Sequence, residues 1–177
     1  MDMISVLKED HQAVETLFGR IEAASARAIK TKEKTFLQIK EALTVHSAVE
    51  EEYLYPRMRE IDSLRQQAFE ANEEHSLVKQ LLSELGEEEV GSEVWNAKVK
   101  VLIDLVRHHV REEESQYFKP LRSELEPAEL RSLGEKVVAF KESFQESPQA
   151  ASPSAKAPGK PAPRSRSGEE QERAHAP

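Results

Sequence analysis

The chain has 177 residues, 38% hydrophobic and 33% charged, with six glycines, nine prolines and no cysteine; it is long enough for one ordinary domain plus an extension. So few glycines argue against a β-sandwich, which needs a turn signal every ~8–12 residues, and the lack of cysteine removes disulfides and thiolate ligands. A formal net charge of −8, with no basic patch carrying interleaved aromatics, argues against a nucleic-acid or anionic-lipid partner.

The N-terminal stretch MDMISVLKEDH has neither the basic nor the apolar region of a signal peptide. Nothing in the chain approaches the ~20 apolar residues of a membrane span, so the expectation is a cytoplasmic protein with no membrane partner. The first predicted helix runs from about Met3 to Ala26. Its apolar face reads Ile4, Leu7, His11, Val14, Phe18 and Ile21, the three-and-four spacing of a bundle seam. A lone histidine on such a seam is commonly just a satisfied core residue.

Thr31 is a candidate N-cap for the second helix. Its seam is Phe36, Ile39, Leu43, His46, Glu50 and then Tyr53 or Leu54, and Pro56 is expected to kink or end it. The third helix is expected to open near Asp62 or Ser63, with the seam Ala68, Ala71, His75, Val78, Leu82 and Leu85. Gly86 to Gly91 reads as a turn. Ser92 is an N-cap candidate for the fourth helix, whose seam is Trp95, Val99, Leu102, Val106, His109, Glu113 and Tyr117. His108 lies ~100° round this helix from His109, with Asp104 and Glu112 on a more polar flank. The spacing assigns His109 and Glu113 to the interior, and His108 with Glu112 shares the same i, i+4 relation as the alternative register.

A shorter amphipathic segment follows Pro127, carrying Leu130, Leu133, Val137, Val138, Phe140 and Phe144; it is expected to cap one end of the bundle. From Ser147 the chain is rich in Pro, Ala and Ser and nearly free of large apolar residues, a composition that cannot offset its ordering entropy. The expected organisation is therefore a folded domain over residues 1–146 and a disordered tail over 147–177. The tail carries five Lys or Arg and three Glu, which leaves the folded part near −10.

The chain repeats itself. Glu9-Asp10-His11 resembles Glu73-Glu74-His75, and VHSAVEEEYLYP (Val45 to Pro56) resembles HHVREEESQYFKP (His108 to Pro120). Each half is a helix with one seam histidine followed by a helix with a histidine–glutamate pair. In an antiparallel pair, residues equally far from the turn lie at equal height. The midpoints of 11 and 46, of 46 and 75, and of 75 and 109 all fall at or beside the proposed turns. An all-α, antiparallel up-down-up-down four-helix bundle with a short extra C-terminal helix therefore puts His11, His46, His75 and His109 in about one layer. Glu50 and Glu113 then lie one turn away. Burying two carboxylates costs several kcal/mol unless their charge is compensated, and divalent cations do so directly.

Six N and O donors crowd one ion but suit two. His11 with His46 and His75 with His109 would each hold one ion, and Glu50 and Glu113 would bridge. Iron, manganese and zinc all accept such donors.

These motifs resemble the hemerythrin family, specifically its bacterial HHE cation-binding branch, over about residues 3–122. The match rests on His11, His46 with Glu50, His75, and His109 with Glu113. The resemblance implies a non-haem di-iron centre that binds or senses dioxygen or nitric oxide, or handles peroxide. Two departures stand out. Lys79 occupies the place where the oxygen carriers have a further histidine, and the fourth-helix carboxylate is a glutamate four residues after its histidine instead of an aspartate five after. The missing histidine leaves the two metal positions nearly equivalent, each with a free site, which favours sensing, detoxification or iron handling over stable carriage. The competing readings are a di-iron enzyme with peroxidase-like or oxidase turnover, an iron store or buffer, and a metal-free interaction module. Tyr53, Tyr55 and Tyr117 are near enough in sequence to act beside the centre, although aromatics at this spacing are more often core.

Overall fold

The computed structural model describes residues 1–145; the expected domain boundary and disordered tail lie outside the described residues. Among the described residues seven α-helices follow one another: α1 (Met3–Ala23), α2 (Ile29–Val49), α3 (Tyr55–Glu60), α4 (Arg65–Glu87), α5 (Glu93–Glu112), α6 (Phe118–Glu124) and α7 (Pro127–Gln145). Two wide π-helical turns, Glu50–Leu54 and Glu113–Tyr117, join α2 to α3 and α5 to α6 without a break. Among the described residues no helix is long and apolar enough to cross a membrane.

Two apolar clusters fix the topology. One gathers Met3, Leu7, Val49, Tyr55, Ala68, Ala71, Tyr117 and Phe118 with Leu130, Leu133 and Val137. The other gathers Val14, Phe18, Phe36, Leu43, Val78, Leu85, Trp95 and Val106. Helix α1 runs from the first cluster to the second, α2 returns, α4 runs out again and α5 returns. This is the expected up-down-up-down bundle, with α7 packed on the first cluster beside α1. Burial of the apolar faces supplies the driving force.

Local chemistry sets the helix ends, and four differ from expectation, one of them the end of α4, which takes in Gly86 and Glu87 from the expected turn. Asp2 caps α1 by accepting from the Ser5 amide at 3.0 Å, and Ser92 caps α5 by accepting from the Trp95 amide at 3.1 Å. Helix α1 stops at Ala23 instead of Ala26, because residues 24–28 make the turn into α2. Helix α2 starts at Ile29, ahead of Thr31, with the Lys32 amide already bonded to the Ala28 carbonyl at 3.0 Å. Helix α4 starts at Arg65; Leu64 precedes it, and its burial outweighs the capping that Asp62 or Ser63 offers. Asp62 instead accepts from the Arg65 side chain at 2.9 Å.

Pro56 does not end the helix. It follows the wide turn at the start of α3, where the Tyr55 amide reaches back five residues to the Glu50 carbonyl. The same reach links Phe118 to Glu113. A wide turn of this type, spliced into an α-helix, commonly marks a functional site.

Candidate metal centre

The two apolar clusters are separated by a polar layer. His11 lies between Leu7 and Val14 on α1, His46 between Leu43 and Val49 on α2, His75 between Ala71 and Val78 on α4, and His109 between Val106 and Tyr117. All four histidines are buried, and Glu50 and Glu113 are fully excluded from solvent at 0% exposure. The structure thus brings all six sequence-predicted residues together and leaves His108 outside, 53% exposed at its side chain.

The histidines form two pairs. The rings of His11 and His46 are 4.9 Å apart, and those of His75 and His109 are 4.8 Å apart. Each carboxylate turns one oxygen towards each pair. Glu50 Oε1 is 3.1 Å from His46 Nε2 and 4.0 Å from His11 Nε2, while its Oε2 is 3.2 Å from His75 Nε2 and 3.7 Å from His109 Nε2. Glu113 Oε2 is 3.3 Å from His11 Nε2, and its Oε1 is 3.5 Å from His109 Nε2. The ligand atoms of His11, His46, Glu50 and Glu113 all lie within 4.8 Å of one another, as do those of Glu50, His75 and His109.

Four outer carboxylates, none singled out by the sequence reading, face the other nitrogens of these rings. Nδ1 of His11 donates to Glu114 Oε1 at 2.8 Å, that of His75 to Glu51 Oε1 at 3.0 Å, and that of His109 to Glu74 Oε2 at 2.7 Å. Asp10 Oδ2 faces His46 Nδ1 at 3.7 Å, an ion-pair contact too long for a hydrogen bond; the other Asp10 oxygen is held by Lys141 of α7. A proton fixed on Nδ1 leaves the Nε2 lone pair aimed inward, the usual arrangement around a metal-binding imidazole. A signal for these residues exists in the repeat. An acid stands directly before His11 and His75, and another directly after Glu50 and Glu113. Lys79 grips Glu51 at 2.6 Å and 2.8 Å and so steadies the partner of His75.

The wide turns settle the register of the second motif. Glu50 to Tyr55 and Glu113 to Phe118 are equivalent five-residue steps. Tyr117 therefore corresponds to Leu54, and its hydroxyl turns to Glu112 at 3.3 Å instead of inward. Tyr55 and Phe118 are the ring neighbours of His75 and His11, at 5.2 Å and 6.0 Å. One side of the layer carries a hydroxyl and the other does not. Tyr55 Oη lies 3.0 Å from His75 Nε2 and 3.4 Å from Glu50 Oε2. Tyr53 is outside the layer, packed on Phe140.

Charge in the layer is unbalanced in an informative way. Burial resists ionisation of Glu50, but the neighbouring imidazoles, His46 foremost, outweigh it and hold the carboxyl well below its usual range. Burial, then the Glu50 and Glu113 charges, push the Tyr55 phenol well above its usual value, so it stays a hydrogen-bond donor. Even so, His11 Nε2, His46 Nε2, Glu50 Oε1 and both Glu113 oxygens are buried with no hydrogen-bond partner. Orphaned buried polar atoms are rare and costly, and here they converge on one place. Nitrogen and oxygen donors of this kind suit divalent cations, so these His/Glu clusters could hold metal.

The chain resembles known proteins in the same terms. It is 30% identical over 146 residues to a DNA nickase from Nostoc sp. (strain PCC 7120 / SAG 25.82 / UTEX 2576); the match covers 82% of this chain and 41% of that relative, so the chain spans about two fifths of its length. In fold it is similar to the crystal structure of a hemerythrin HHE cation binding domain-containing protein from Mycobacterium kansasii, with a TM-score of 0.73, 24% identity, and coverage of 85% of this chain and 91% of that one. The family model described as Hemerythrin HHE cation binding domain matches residues 2–121. That match spans more than half of the chain, and the protein belongs to the hemerythrin HHE cation-binding domain family.

Proposed function

We propose that the layer holds two iron ions, one beside His11 and His46 and one beside His75 and His109, with Glu50 and Glu113 bridging, and that the centre binds or senses dioxygen or nitric oxide. The observation that carries this reading is the convergence of five unpartnered buried donor atoms on one point, with each bridging carboxylate directing one oxygen to each histidine pair. Bound ferrous ions would supply electrons and open coordination positions to a small diatomic ligand. The chain supplies the rest. Glu51, Glu74 and Glu114 orient rings through Nδ1, and the apolar clusters on either side exclude bulk water. A cleft of about 350 Å³ between α1 and α5 reaches His11, lined by Val14, Phe18 and Val106 and bordered by Arg107. It offers a short, largely apolar path for a small uncharged ligand.

Peroxidase-like turnover is the second reading, and Tyr55 favours it. A protonated hydroxyl beside the His75 and His109 position can deliver a proton where a reducible ligand would bind. Steady-state consumption of peroxide by the iron-loaded protein separates turnover from binding. DNA nicking is not carried over from the Nostoc relative, because a folded part near −10 repels a phosphodiester backbone.

The test is metal analysis of protein purified without oxygen, followed by optical spectra on adding oxygen and then azide. Two irons per chain and an oxygen-dependent ligand-to-metal absorption, shifted by azide, are expected. Protein from iron-rich medium that carries no iron, or whose spectrum ignores oxygen and nitric oxide, would overturn the reading.

A further inference from the structure

The sequence HHVREEE contains two interleaved His–Glu pairs, His108 with Glu112 and His109 with Glu113. They point ~100° apart on α5. The inner pair enters the buried layer. The outer pair meets Glu74 of α4 at the surface of the same seam, and the ligand atoms of Glu74, His108 and Glu112 lie within 4.8 Å of one another.

His108 stands off from both carboxylates. His108 Nε2 stands 3.7 Å from Glu74 Oε1 and 3.7 Å from Glu112 Oε2. Several surface pairs of this protein are closer, Lys79 to Glu51 and Lys100 to Asp104 at 2.6 Å and Arg65 to Asp62 at 2.9 Å, while Lys8 to Glu114 spans 3.9 Å. Ligand atoms bound at ~2.0–2.2 Å around a tetrahedral cation lie ~3.3–3.6 Å apart. The His108 distances are therefore close to those between donors that share an ion, and too long for direct hydrogen bonds.

Glu74 is also braced from behind, and the Glu112 oxygen that faces His108 is itself held. The second Glu74 oxygen accepts from His109 Nδ1 at 2.7 Å, and Glu112 accepts from the Tyr117 hydroxyl at 3.3 Å. Such bracing orients a ligand carboxylate before a metal arrives. Glu74 and Glu112 are mostly covered, at 19% and 29% side-chain exposure, while His108 is open to solvent. That leaves room for water to complete the coordination of an ion.

We propose that Glu74, His108 and Glu112 form a peripheral site for a divalent transition-metal ion, separate from the buried centre and joined to it through Glu74. One imidazole and two carboxylates select borderline cations such as zinc, ferrous iron or cobalt(II) over calcium or magnesium. An ion there lies one carboxylate away from His109.

Equilibrium dialysis against zinc, starting from protein whose buried centre is already loaded, tests this with His108→Ala and Glu112→Gln. The wild type takes up one further zinc per chain, and each variant binds it more than ~10-fold more weakly while keeping the ions already bound. Side-chain NMR gives a second readout: the His108 imidazole signals, assigned by their loss in His108→Ala, shift on the first addition of zinc. Equal zinc uptake by wild type and variants, or unmoved His108 signals, overturns the proposal. Loss of the buried ions in His108→Ala would place His108 in the inner centre and equally end the separation claimed here.

Discussion

At the scale of residues, the layer is a set of acids and bases that offset one another until a cation enters. Burial works against the His46 imidazolium, yet the charge of Glu50 and the facing Asp10 and Glu113 carboxylates push its pKa up to about 10. An imidazole in the unfolded chain titrates near ~6.5. The raised value means this group stabilises the metal-free fold fully below ~6.5, and the contribution disappears as pH rises through about 10. Denaturant midpoints of metal-free protein should therefore fall across that window, and a flat profile would contradict the assignment. A bound cation must displace the same proton, so metal affinity should rise with pH over the same range. His46→Ala should lose most of the metal and lower the melting temperature of the loaded protein, because binding and folding are linked. Tyr55→Phe removes the one hydroxyl that breaks the symmetry of the two halves. It should keep both ions and destabilise the metal-free protein by roughly 1–2 kcal/mol, measured by urea unfolding, since Glu50 loses a buried donor. The six central residues were legible because seam positions are meant for apolar side chains, and His and Glu there stand out. The outer acids were not legible as such: Asp10, Glu51, Glu74 and Glu114 sit in a chain with 33 acidic residues, and only the fold shows which ones touch a ring.

At the scale of elements, the wide turns and α7 do work that periodicity does not announce. A strict three-and-four spacing carries the seam from Glu50 to Tyr53 or Leu54. The extra residue of the π turn carries it to Tyr55, and likewise from Glu113 to Phe118. Tyr117 and Leu54 are buried in the first cluster as the spacing expected, but hydrophobic patterning cannot show an insertion that leaves every neighbouring residue type plausible, and so it did not put Tyr55 and Phe118, the ring neighbours of His75 and His11, on the seam. Helix α7 was legible as an amphipathic cap, but its reach to the site was not. Its Lys141 holds Asp10, and its Gly134 lies against the start of α1. A Cβ at Gly134 would collide with the Met1 carbonyl oxygen and come within 2.9 Å of the backbone of Asp2 and Met3. Gly134→Ala should therefore push α7 away from α1 and cost roughly 1–3 kcal/mol by overpacking. Urea unfolding measures this, and an unchanged midpoint would show that the two helices are not held by that contact.

At the scale of the whole molecule, the bundle consists of two apolar cores with a polar layer between them. The height of that layer followed from counting residues to the turns, which works because each α-helical residue adds ~1.5 Å whatever its side chain. Moving a helix end by two or three residues, as at Ala23, Ile29 and Arg65, shortens or lengthens a loop without shifting the layer. The cores would close more tightly without the six polar groups between them, so the layer is kept at a cost in stability that a metal centre would offset. Metal loading should accordingly raise the melting temperature, and removal by a chelator should return it. The most direct measurement is anomalous diffraction at the iron absorption edge from crystals of iron-loaded protein. The account predicts two peaks in the polar layer, one beside His11 and His46 and one beside His75 and His109, with Glu50 and Glu113 between them; loaded crystals with no peak in the layer, or with iron only at other side chains, would contradict it.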